Sequence, residues 1–270
     1  MKQHVTSVSS FLNKWRLLLT ILPFTMLFGL AKVATHQLNW EFWTFDSLTG
    51  TLFAAASFIV AFMLSGTLRD YTTSAYIPIE IVNAIAAIED ANQLAAQTHA
   101  DYDPQPLTVE LTTLIQAILA WLQAGQSAAP IEAALEKLNN HFSHLLASGD
   151  VPVVSRAQGE QAKIRLLISR MRQIRDTDFL KPAYALLEIF LVGAALTLIL
   201  IKTTSFMQNL IVSALLFTAF AYLLQLIRDL DNPFQYEGRS NLDVDLTVLC
   251  ELRDRFTAQN QQHAADNGNP

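Results

Sequence analysis

Side chains that could do chemistry are few and widely spaced in this sequence. His141 and His144 lie three apart in a stretch with helical periodicity, so they share a helix face and could ligate a metal ion together with an Asp or Glu. No His-Glu-x-x-His pattern surrounds them, and a solvated helix face accounts for the same spacing. Glu188 sits inside an apolar run, where a mid-membrane charge costs about 2.5 to 3.5 kcal/mol. It can reach the interface, be protonated or face a polar cavity. No phosphate-cradling glycine loop, nucleophile elbow or paired carboxylates accompany these residues. Cys250 is the single cysteine, which excludes an intrachain disulfide and a cysteine-based zinc cluster. The expectation is a protein that is not an enzyme, with no catalytic residue, no metal and no cofactor.

The densest charge is basic. Lys163, Arg165, Arg170, Arg172 and Arg175 fall in one segment whose apolar positions, Ile164, Leu167, Ile168, Met171 and Ile174, mark a helix with a buried side. Three readings stand for these cations: a solvated face with local ion pairs, contact with anionic lipid headgroups, or an electropositive vestibule in an oligomer, formed by Arg165, Arg172 and Arg175. The chain is acidic overall, at −6, and carries no nucleic-acid-binding motif, so a nucleic-acid partner is not expected.

The elements that must hold these residues are read from apolar runs. Half the residues are hydrophobic and only 16% are charged, against about 25% in an ordinary soluble domain. The excess falls into four runs: 17 to 38, 48 to 68, 182 to 201 and 206 to 227. Each is close to the roughly 20 helical residues that cross a hydrocarbon core of about 30 Å. The predicted fold is an all-α membrane protein, with four transmembrane helices and a helical cytoplasmic domain inserted between the second and third. The first run is read as an uncleaved span, bent or closely packed at Pro23 and Gly29, with Lys32 snorkelling to the far surface. Trp40, Phe42, Trp43 and Phe45 form an aromatic interfacial loop. The second run mixes small residues (Gly50, Ala54 to Ser57, Ala61, Ser65, Gly66) with bulky ones (Phe53, Phe58, Phe62, Leu64, Leu68), a composition suited to helix packing or to lining a pore.

The expected divisions are a cytoplasmic lead at 1 to 16, a hairpin of spans at 17 to 68, a helical domain at 69 to 181, a second hairpin at 182 to 227, a cytoplasmic segment at 228 to 256 and a disordered tail at 257 to 270. Within the domain, helices are expected at 76 to 97, with Pro78 in a first turn, at 107 to 124, from Pro130 to near Gly149, and from an N-cap at Ser155 to Asp178. An even number of spans puts both termini on one side, and every Lys and Arg except Lys32 and Lys202 falls there. The positive-inside rule then makes that side cytoplasmic, in a plasma or bacterial inner membrane.

The last span ends in Arg228-Asp-Leu-Asp-Asn-Pro-Phe, where Pro233 stops the helix, and Glu237, Asn241, Leu242 and Asp243 follow. Two spans, a helical insertion, a second hairpin and this Asp231-Asn232-Pro233-Phe234 motif resemble the bestrophins and the bacterial bestrophin-like proteins. The resemblance implies a homopentameric channel in the lipid bilayer, passing inorganic ions, mainly anions of the chloride or bicarbonate class, through a pore lined by the second span. Arg69 to Tyr76 is similar to the family's segment after the pore, although Tyr76 lies farther from Arg69 than the family spacing. Anchored on Arg69, the family's hydrophobic neck maps onto Val60, Leu64 and Leu68. The family's calcium site is thin here: Glu237, Asp243 and Asp245, with Arg239 among them, fall short of the six to eight oxygens calcium takes. The alternative from the residues alone is a non-conducting membrane protein that docks or regulates a partner through its helical domain.

Overall fold

The computed structural model describes residues 3–147, 151–176, 181–231, 233–236 and 242–267, with side chains from residue 15 onward except 181 and 264–267. Its elements in chain order are α1 (Gln3–Gln37), β1 (Trp43–Thr44), α2 (Ser47–Thr98), α3 (Gln105–Gln123), α4 (Ala129–Ala147), α5 (Val151–Asp176), α6 (Lys181–Leu200), β2 (Ile201–Lys202), α7 (Phe206–Asp231) and α8 (Thr247–Asn267). Among the described residues the fold is all-α apart from the short parallel pair β1 and β2. Two compact bodies divide the chain, Met1–Tyr71 with Asp178–Asn232, and Thr72–Thr177 with Pro233–Pro270, so the division falls inside α2.

The first body contains α1, the first part of α2, α6 and α7. Among the described residues, four helices are long and apolar enough to cross a membrane: Trp15–Gln37, Ser47–Thr98, Pro182–Leu200 and Phe206–Asp231. The α1 helix packs on α7 through stacked Phe28 and Phe217 rings, 4.6 Å apart, and through a 2.9 Å hydrogen bond between the hydroxyls of Thr25 and Thr218. It runs unbroken through Pro23 and starts at Gln3, inside the stretch expected to be a polar lead. The aromatic loop does more than meet an interface: Trp43 pairs with Ile201 and Thr44 with Lys202, which ties the α1–α2 connection to the end of α6. Asp46 then caps α2, its Oδ1 accepting from the Thr49 backbone N–H at 2.8 Å and from the Thr49 hydroxyl at 2.7 Å.

The second body is an ordinary helical core. The far part of α2 supplies Ile77, Ile81, Ile85 and Ile88; α3 supplies Leu111, Leu114, Ile115 and Ile118; α4 and α5 add Leu135, Phe142, Ile164 and Ile168, all buried. Apolar positions three and four apart put one stripe of each helix inward. A buried polar knot fixes the α2–α3 connection: the Asn92 amide donates to the Pro104 carbonyl at 2.8 Å, the Tyr102 hydroxyl donates to Asn92 Oδ1 at 2.6 Å, and Thr108 donates to the buried Glu89 carboxylate. Burial, then the charges of Glu89 and Asp103, push the Tyr102 phenol up to about 12.

Three expectations are corrected here. Pro78 does not begin a helix but lies inside α2, and α5 begins at Val151, with Pro152 in its first turn, rather than at Ser155. The tail described up to Asn267 is helix, not disordered chain. Its polar composition is overridden by tertiary contacts: Phe256 is fully buried, and Asn260 bonds both Gln105 at 3.0 Å and Thr112 at 3.3 Å.

Candidate functional site

Within the first body α2 has two unlike faces. One side is buried, with Thr49, Ala56, Val60 and Thr67 along it. Val60 packs with Leu187 of α6 and with Leu224 and Ile227 of α7. Positions 60, 64 and 68 each advance about 40° around a helix of 3.6 residues per turn, so the set winds off its starting face. Val60 is 6% exposed, Leu64 is partly buried against the same cluster, and Leu68 is 52% exposed. The structure therefore does not bring these three residues onto one open face.

The opposite side of α2 carries Thr51, Ala54, Ala55, Phe58, Phe62 and Ser65, all exposed, with the two rings at 72% and 70%. Sequence reasoning missed this register. The signal was present, since Phe58 and Phe62 are one turn apart and flanked by small and hydroxylated residues. In a helix apolar all round, however, periodicity alone does not say which side is the core. Exposed positions on the other three long apolar helices are mostly large and apolar, among them Leu22, Phe24 and Leu27 on α1, Ile189, Val192 and Leu196 on α6, and Ile211, Val212 and Leu215 on α7, although Thr20, Glu188 and Gln208 are exposed as well.

The β1–β2 end of this body is tied together by an unexpected group. Lys32 does not snorkel outward; it is fully buried. Its Nζ donates to the carbonyls of Ile199 at 3.0 Å and Ile201 at 2.5 Å and lies 3.0 Å from Glu41 Oε1. An ammonium has three N–H donors, and three oxygens surround this one. Glu41 Oε2 lies 2.9 Å from Nδ1 of His36, whose ring stacks on Phe206 at 4.0 Å. Burial by itself raises the Glu41 carboxyl, but the His36 hydrogen bond and the Lys32 ammonium outweigh it and hold it below the usual carboxylate value. Toward the other end of α6, Glu188 is not isolated: it pairs with Arg228 of α7, and both side chains are about half exposed.

The cations expected to form a vestibule are engaged within the second body. Arg165 reaches toward the Leu135 carbonyl at 3.5 Å, Arg172 pairs with Glu132 at 3.1 Å, and Arg175 donates to the Trp121 carbonyl at 2.9 Å while its guanidinium lies 5.2 Å from the Trp121 ring centre. Asp231 is the last residue of α7, and Asn232, Glu237, Arg239 and Asn241 lie outside the described residues. Pro233 and Phe234 are buried in the second body, where the Pro233 carbonyl accepts from Val244 N–H at 2.9 Å. Asp245 is a helix cap, its Oδ1 accepting from the backbone N–H and the hydroxyl of Thr247, and the hydroxyl bond, then the backbone bond, hold its carboxyl low. His141 and His144 line a cleft of about 750 Å³ with His99, Asp101 and Asp103, yet among the described residues no three such groups converge closely enough to hold a metal ion. Burial lowers the His141 imidazole, against the pull of Glu110.

No protein-family model and no curated protein matches the sequence. Solved structures do. One mutant form of a bacterial bestrophin homologue from Klebsiella pneumoniae superposes with a TM-score of 0.73 at 13% identity, over 91% of this chain and 99% of that one. A second mutant form of that homologue gives 0.72 at 13% over 88% and 97%, and a solved membrane protein gives 0.73 at 12% over 91% and 98%. The chain has the bestrophin fold. At this identity the likeness is one of architecture, and it extends over nearly the whole length of both chains. The bestrophin fold and the apolar helices together make this an integral membrane protein.

Proposed function

We propose that the chain is a subunit of a bestrophin-like ion channel. In this reading five copies surround one axis in a plasma or bacterial inner membrane. Both termini and the second body lie in the cytoplasm, and α2 lines a pore for anions of the chloride or bicarbonate class. The observation that carries the reading is the outward face of α2. Most outward side chains of α1, α6 and α7 are large and apolar, as lipid contact favours, whereas α2 turns Thr51, Ser65 and two alanines outward beside Phe58 and Phe62. Small and hydroxylated side chains suit close helix approach or a wetted wall, and a ring of aromatic groups suits a constriction that gates by dewetting. The pore register thus moves from Val60, Leu64 and Leu68 to Phe58, Phe62 and Ser65. The distribution of Lys and Arg supports cytoplasmic termini.

Two measurements test this. Light scattering on the detergent-solubilised protein, corrected for bound detergent, is expected to give five times the 30.1 kDa chain mass. A persistent monomer or dimer leaves no axial pore and favours the docking alternative. In a Cys250→Ser background, Ser65→Cys channels in bilayers are expected to lose current on addition of a charged, water-soluble thiol reagent. Current unchanged by the reagent would remove this face from the pore.

A further inference from the structure

The six cations of α5 are used in two ways. Arg165, Arg172 and Arg175 turn to partners within their own body. Arg156, Lys163 and Arg170 are exposed, and among the described residues none of them has an ion-pair or hydrogen-bond partner. They recur every seven residues, a spacing that drifts only about 20° per step on an α-helix, so the three form one strip about 21 Å long. Glu160, the one acid within a turn of Arg156 and Lys163, is partly buried and pairs with neither. Leu166 lies between Lys163 and Arg170 and is 52% exposed. An acidic chain thus leaves three cations unmatched along a single line, with an apolar side chain among them.

We propose that this strip binds the phosphate headgroups of anionic lipids in the bilayer that holds the chain. Phosphate is the natural partner of a guanidinium fork and of an ammonium point charge. A cationic edge around an exposed leucine is the composition of a helix face that meets the lipid interface. The bilayer is also a partner always present, because the same chain carries the apolar α6, which begins at Lys181, soon after α5 ends at Asp176 in sequence. The proposal rests on membrane residence alone and stands whether or not the chain conducts ions.

The test uses the full chain in lipid nanodiscs and reads the acetylation rate of Lys163 by peptide mass spectrometry. Replacing part of a phosphatidylcholine bilayer with phosphatidylglycerol is expected to slow Lys163 acetylation about fivefold, the worth of one Lys near an anionic surface. Raised salt is expected to reverse the effect. Arg156→Gln with Arg170→Gln is expected to abolish the slowing, Arg156→Lys with Arg170→Lys to retain it, and Arg172→Gln, whose residue is already paired, to leave it unchanged. Equal rates in both bilayers overturn the proposal. So does equal protection by soluble glycerol phosphate in pure phosphatidylcholine discs, which would mark a site for free anions.

Discussion

The two bodies of this chain invert each other. In the second, Leu114, Ile115 and Phe142 are buried to within 1%, and most of the exposed surface is polar or charged. In the first, the large apolar side chains Phe24, Leu27, Phe58, Phe62 and Leu215 point outward, and the buried cluster is small, built on Val60, Leu187, Leu224 and Ile227. One solvent cannot favour both arrangements. Water drives the second body together through apolar burial, at roughly 25 cal/mol per Å². Lipid supplies no such drive to the first, which depends on close packing and on polar contacts satisfied internally. The critical residues of the first body should therefore be polar and those of the second apolar.

The sharpest test is Lys32→Met, which leaves the Glu41 carboxylate buried without its ammonium. It is expected to destabilise the first body by about 3 to 5 kcal/mol, the usual effect of breaking one side of a buried pair. The measurement is hydrogen exchange at the β1–β2 residues. The double variant Lys32→Met/Glu41→Leu should recover most of the loss, because no charge is left uncompensated. If the single variant exchanges like the wild type, the pair is not what holds this end. Glu41, held by His36 and then by Lys32, also sets a pH dependence. The Glu41 carboxyl is held low in the fold, so its contribution is present above the ordinary Glu value near 4.5 and is lost as pH falls through the lower folded value. The protection of β1–β2 against exchange, corrected for the intrinsic rate, should fall as pH drops below the ordinary Glu value.

Next in size is a pair of apolar truncations read in parallel. Leu114→Ala, at a fully buried site of the second body, should cost about 2 to 5 kcal/mol in urea unfolding of that body. Phe62→Ala removes a larger side chain that is 70% exposed, and should cost under about 1 kcal/mol while altering conductance if it lines the pore. Equal destabilisation by both would mean that Phe62 is buried against another copy of the chain.

How far the sequence carried depends on the range of the forces involved. The α3 stripe of Leu111, Leu114, Ile115, Ile118 and Leu122 was legible because helical period and burial coincide in water. The apolar runs of α1, α6 and α7 were legible from length alone. Lys32 was misread because its acceptors, Ile199 and Ile201, lie 167 and 169 residues away along the chain. That Val60 packs inward, against Leu187, Leu224 and Ile227, could not be read because a helix apolar on every side offers no period. The polar tail was misread because Asn260 is ordered by bonds to α3. In each failure a tertiary contact outweighed local composition, and in two of them the contact was polar, the kind hydropathy does not register.

The smallest effect is expected at Arg172, and it separates two roles for the α5 cations. The Arg172–Glu132 pair spans 3.1 Å, with side chains 41% and 50% exposed, and such pairs contribute about 0 to 1 kcal/mol. Arg172→Ala should therefore shift unfolding of the second body only marginally, and less still at high salt, as screening weakens exposed charges. If Arg172 were a vestibule cation instead, the same substitution would leave stability alone but change current at low ionic strength, where its field reaches about 30 Å. A stability change without a change in current places Arg172 with the contacts that hold the helical core, and leaves the strip of Arg156, Lys163 and Arg170 as the face of α5 with charge to spare for a partner.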